Sequence, residues 1–214
     1  MNGYTHILGG LAAGAIAAPA LSLGHVPVFL LAAALTGPLA DIDHPGSMYG
    51  RFVPLPGVIR MGGHIEAYRG GRWGNSQAAH GQVGRSLPFG VMWHRGPSHS
   101  LLAALMATVL AFITAFVATV HGALFASGGL AGAIAFGVLV GYLSHLFLDA
   151  FNVMGQELLW PFSRRRFKVG PLHIPVGSIG ETVTVVALVG VLLLTGPHLL
   201  PSVFGGRLFG GVAP

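Results

Sequence analysis

Apolar residues gather into five stretches, 5–21, 26–40, 100–120, 130–150 and 182–200, and the segments between them are rich in Gly, Pro, His and Arg. A helix rises about 1.5 Å per residue, so crossing a ~30 Å hydrocarbon core takes about 20 residues. The last three stretches reach that length. The first two are shorter, so they are expected to tilt, thin the bilayer or form a partly re-entrant hairpin. The pattern predicts an all-α, polytopic membrane protein with four to five transmembrane helices. It forms a single membrane-embedded domain over 1–214, in which 46–90 is a Gly/Pro-rich insert or lid.

Composition agrees with this picture. Charged residues make up 8% of the chain against 53% apolar, where a soluble domain carries about 25% charged. A surface so poor in charge must face lipid over most of its area. Ala18-Pro19-Ala20 imitates a signal-cleavage site, but no basic segment precedes it, so the N-terminus is expected to stay in place. The formal charge of +5 comes mainly from two segments. Arg51, Arg60, Arg69, Arg72, Arg85 and Arg95 precede the third stretch; Arg164, Arg165, Arg166 and Lys168 follow the fourth. With five crossings both segments fall on the side of the N-terminus, which the positive-inside rule makes cytoplasmic. Such loops fit anionic lipid headgroups, and no nucleic-acid partner is expected. Trp93, Trp160 and Phe162 read as interfacial aromatics.

The chain has no Cys, so any metal must be held by His and carboxylates. Acids are scarce, and four of the six mark ends of apolar stretches: Asp41 and Asp43 after the second, Asp149 at the end of the fourth, Glu181 before the fifth. Histidines fall at the same ends. His6 opens the first stretch and His44 follows Asp43. His94 and His99 flank Arg95-Gly96-Pro97-Ser98, where Pro97 suits a first helical turn and leaves His94 in the loop and His99 on the helix. His145 and Asp149 are four residues apart and share one helical face. The topology brings all of these to one membrane face, the cytoplasmic one, while His25, His121 and His198 fall on the other. Imidazole with carboxylate and no sulfur suits Zn, Mn, Fe or Ni. The candidate ligands are His6, Asp41, Asp43, His44, His94, His99, His145 and Asp149. These are too many for one ion and suit two or more, zinc being the default, bridged by Asp149 or Asp43.

The segments Thr5-His6, Asp41-Ile42-Asp43-His44-Pro45, His94-Arg95-Gly96-Pro97-Ser98-His99-Ser100 and His145 to Asp149 resemble the LexA-regulated, inner-membrane metal-dependent hydrolase family of prokaryotes. Leu39-Ala40 stands where that family often has Leu-Pro before the first Asp. The resemblance implies a distant relation to zinc-dependent phospholipases C and single-strand nucleases, in which a His-x-x-x-Asp pair belongs to the metal cluster. The function expected is therefore hydrolysis of a phosphoester, in a lipid or lipid-linked substrate, by metal-activated water. Asp41 or Asp43 would take the proton, Arg95 would hold a phosphate oxygen, and Glu181 would be a ligand or an alternate base. The competing readings are a divalent-metal transporter and a non-catalytic, metal-stabilised membrane protein. Transport sites, however, tend to lie near the bilayer midplane rather than at one face.

Overall fold

A computed structural model describes residues 1–21, 23–43, 47–52, 95–121, 129–152, 155–169 and 174–204. Nearly all of the insert expected at 46–90 lies outside the described residues, as do His44 and His94. Among the described residues five α-helices carry the fold: α1 Gly3–Ala17, α2 Val26–Thr36, α3 Leu101–Val120, α4 Leu130–Asp149 and α5 Ile179–Phe204. The described residues contain no strand, only an isolated antiparallel bridge between Gln156 and Phe167. Among the described residues, four segments are long and apolar enough to cross a membrane: Val26–Asp43, Leu101–Val120, Leu130–Asp149 and Ile179–Leu199. α1, at 15 residues, is shorter than these.

Helix boundaries follow from local chemistry. Pro27 stands in the first turn of α2, where its missing N–H costs nothing. Apolar patterning runs on to Ala40, yet α2 stops at Thr36 and a separate 3₁₀ turn, Leu39–Asp43, carries both aspartates. The break falls at Pro38: Gly37 keeps helical backbone and its N–H still bonds to the Ala33 carbonyl, but Pro38 has no N–H with which to continue the ladder. The expectation that His99 lies on the third helix is corrected in the same way. Pro97–His99 is its own 3₁₀ turn, and α3 opens only after Ser100, whose Oγ caps it by accepting the Ala103 N–H at 3.1 Å. Ser178 caps α5 likewise through the Glu181 N–H, at 3.3 Å.

α2 and α4 pack together at the centre, α1 lies against both, α3 flanks α4, and α5 flanks α1. Lipid supplies no hydrophobic drive between helices, so their association rests on close backbone approach. Gly10 of α1 and Gly141 of α4 both face the Ala33 carbonyl of α2, and a Cβ at either position would overlap it. Outward faces are apolar: Leu105, Met106, Leu110, Ile113 and Phe116 on α3 are exposed, as are Val183, Val186, Leu193 and Leu194 on α5. The helices alternate in direction, which collects the start of α1, the end of α2, the start of α3, the end of α4 and the start of α5 at one end of the bundle.

Candidate metal centre

Four side chains meet at that end. Asp41, His99, His145 and Asp149 each present one ligand atom, and these atoms all lie within 4.8 Å of one another. The Nε2 atoms of His99 and His145 are 3.2 Å apart. Asp41 Oδ1 stands 3.3 Å from the first and 3.8 Å from the second. Asp149 Oδ2 stands 3.6 Å and 3.7 Å from them. Both histidines are fully buried, Asp149 nearly so, and the Asp41 side chain is the most open at 14% exposed.

Hydrogen bonds behind the rings fix which nitrogen faces inward. His145 Nδ1–H donates to the Gly37 carbonyl at 2.7 Å, which turns Nε2 toward the cluster. Ser98 Oγ–H donates to Asp43 Oδ2 at 2.6 Å. With that hydrogen committed, the hydroxyl can only accept from His99 Nδ1–H, at 3.0 Å. In their neutral forms the two rings would point lone pairs at each other, a repulsion that a proton or a metal ion between them relieves. Burial opposes charge on His99, but the carboxylates of Asp149 and Asp41 beside its Nε2 hold its pKa up to about 9. A divalent cation would take the place of that proton between the same atoms. Ligand atoms at the roughly 2.0–2.1 Å radius of tetrahedral zinc lie about 3.3 Å from one another, and the shorter spacings here match that edge. The donor set fits a divalent metal.

The remaining predicted residues are placed as follows. His6 stacks on His145, with ring centroids 3.8 Å apart, and its Nε2 is 3.5 Å from Asp149 Oδ1. Both of its ring nitrogens are buried without a hydrogen-bond partner among the described residues. Asp43 supports His99 through Ser98 and stands outside the four. Arg95, buried and with a positive φ of 67°, brings Nη2 to 3.2 Å from Asp149 Oδ2. Glu181 is not among the four. Its carboxylate accepts from Asn2 N at 2.5 Å, Thr5 Oγ1 at 2.8 Å and Gly177 N at 2.6 Å, which ties the start of α1 to the start of α5. With the Ser178 cap this forms a variant of the capping box.

Sequence reasoning missed Ser98, the Gly37 carbonyl and Tyr142, whose hydroxyl donates to the Ser98 carbonyl at 2.5 Å. For two of them a signal was present: Ser98 directly precedes His99, and Tyr142 lies one turn before His145 on the same face of α4. Nothing in the sequence marks a backbone carbonyl as a partner.

A metal-fitting His/Asp cluster at one end of an apolar helix bundle narrows the comparison with known proteins. The model of the YdjM inner membrane protein family matches residues 1–208. The chain belongs to that family. It is also 30% identical to YvsG of Bacillus subtilis (strain 168), an uncharacterized protein, over 98% of this chain and all of YvsG. No solved structure matches. Membership of the YdjM family, together with the apolar helices, makes this a multi-pass inner membrane protein. The match extends over all the described ligand positions. It says nothing of the more distant likeness to phospholipases C and nucleases.

Proposed function

We propose that this chain is a membrane-embedded metal-dependent hydrolase that cleaves a phosphoester in a lipid or lipid-linked substrate at the cytoplasmic surface. The observation that carries the reading is the pair of inward-facing imidazole nitrogens 3.2 Å apart, flanked by two carboxylates and a buried arginine at a helix-bundle end. Asp41, His99, His145 and Asp149 would hold the cation, which we take to be zinc. His6 and Asp149 are the residues that would help to hold a second ion, His6 Nε2 lying 3.5 Å from Asp149 Oδ1, an oxygen that also faces the N-terminal ammonium of Met1 at 3.4 Å. A divalent cation supplies Lewis acidity there, lowering the pKa of water and offsetting charge on a phosphoester oxygen.

The chain's own residues supply the rest. Asp41, the most open of the four, is where water and substrate can approach, and its carboxylate is suited to accept a proton. Asp43 is engaged by Ser98 and acts through His99. Arg95 sets a fixed positive charge 3.2 Å from Asp149 Oδ2, beside the place where a phosphoester would gain negative charge. Arg95, Arg164, Arg165, Arg166 and Lys168 all lie at the end that bears the cluster, which supports a cytoplasmic cluster and N-terminus.

One observation favours a second reading. Four protein donors would be enough to fill a structural zinc site, whereas catalytic sites keep one position open. Such a centre would stabilise the fold without turnover. The test is release of phosphate-bearing product from a phospholipid panel by detergent-purified protein, with His145→Ala and Asp41→Asn alongside. Turnover lost in both variants supports the hydrolase. Bound metal with no turnover on any lipid supports the structural centre.

A further inference from the structure

The segment joining α4 to α5 carries Arg164, Arg165, Arg166 and Lys168 within five residues, and 158–169 contains no acid. Two membrane-crossing helices bracket it, so it lies at a membrane face, the one that bears the cluster. Three of its apolar side chains point outward: Phe162 is 91% exposed, Val169 46% and Leu159 44%. All four cations are exposed as well. Exposed aromatic and aliphatic groups interleaved with cations, on a segment between two membrane-crossing helices, suit the boundary between acyl chains and anionic headgroups.

The segment is also held in shape. Gln156 and Phe167 exchange backbone hydrogen bonds of 3.2 and 2.9 Å. Val169 N–H donates to the Ala150 carbonyl, and Leu101 N–H to the Leu158 carbonyl, both at 2.9 Å. Gly155, at φ 63°, makes the turn that lets Lys168 close over it. The base of the segment reaches the cluster: Glu157 N–H donates to the Arg95 carbonyl at 3.4 Å, while the buried Glu157 carboxylate faces Arg166 Nε at 3.9 Å. Arg164, Arg165 and Lys168 project from a platform fastened to the residue that pairs with Asp149.

We propose that residues 158–169 form a docking ledge for the headgroups of anionic phospholipids in the bilayer, adjacent to the His/Asp cluster. The docking stands on this loop alone. The hydrolase reading adds only that lipids seated here are close to the site that would cleave them.

The test is native mass spectrometry of the full-length, detergent-purified protein titrated with phosphatidylglycerol or phosphatidylcholine. Each cation near an anionic surface strengthens binding by roughly five-fold. Wild type should therefore retain phosphatidylglycerol over phosphatidylcholine by at least about ten-fold, and R165Q should lower that preference about five-fold. The triple variant Arg164→Gln/Arg165→Gln/Lys168→Gln should abolish it, while Arg164→Lys/Arg165→Lys should keep it. Metal content, which these exposed positions do not touch, reports that each variant is folded. A wild type without preference, or a preference that survives in the triple variant, overturns the proposal. H145A should lose metal and keep the lipid preference, so failure of the docking and failure of the hydrolase reading are told apart.

Discussion

Replacing Ser98 by alanine removes one oxygen and leaves every ligand atom of the cluster in place. In the wild type that oxygen accepts from His99 Nδ1 at 3.0 Å and donates to Asp43 Oδ2 at 2.6 Å. Without it, the distance between His99 Nδ1 and Asp43 Oδ2 is 3.9 Å, beyond the reach of a hydrogen bond. The ring loses the acceptor that fixes its tautomer and raises the basicity of Nε2. Partners of this kind are worth about 10- to 100-fold in metal affinity, or roughly 1.4–2.7 kcal/mol. Competition of purified protein against a chromogenic chelator for Zn²⁺ measures this directly. S98A should bind 10- to 100-fold more weakly, Ser98→Thr, which keeps the hydroxyl, within about three-fold of wild type, and H99A not detectably. An S98A affinity within two-fold of wild type would refute the assignment of His99 Nε2 as a ligand held by the Ser98–Asp43 pair.

Stripping the metal with a chelator should lower the melting temperature of the wild type and leave H145A unmoved, because a ligand at a hundred times its Kd stabilises by about 2.7 kcal/mol; thermal melts in detergent check this. Gly141→Leu drives a side chain into the Ala33 carbonyl and the Thr36 hydroxyl, so it should destabilise by about 1–3 kcal/mol or more and reduce metal content, since His145 and Asp149 ride on the same helix. Glu181→Gln should cost about 1 kcal/mol through weakened ties to Asn2, Thr5 and Gly177 while metal stoichiometry stays at the wild-type value. Loss of metal in E181Q would instead return Glu181 to the ligand set.

Much of the bundle was legible because apolar length is a strong signal in a membrane: the third, fourth and fifth stretches match α3, α4 and α5 closely. The second stands as the span Val26–Asp43, but hydropathy does not register Gly37-Pro38, where α2 stops and a 3₁₀ turn carries the aspartates. Convergence at one end followed from counting crossings, and it brings His6, Asp41, His99, His145 and Asp149 together as expected. Spacing alone could not rank them. Asp43 lies two residues from Asp41, yet the 3₁₀ turn points it at Ser98, while Asp41 meets both imidazoles. Glu181 shares the membrane depth of the cluster, but backbone N–H groups at the start of α5 and the Thr5 hydroxyl claim its carboxylate, a local competition that depth does not reveal.

Elemental analysis of detergent-purified wild type beside the His99→Ala/His145→Ala protein, with phospholipid hydrolysis assayed on the same samples, tests the central claim most directly. The account predicts at least one divalent metal per wild-type chain, zinc foremost, lost in the variant together with turnover. Wild-type protein prepared without chelator that carries no metal, or a variant that keeps its metal, would contradict it.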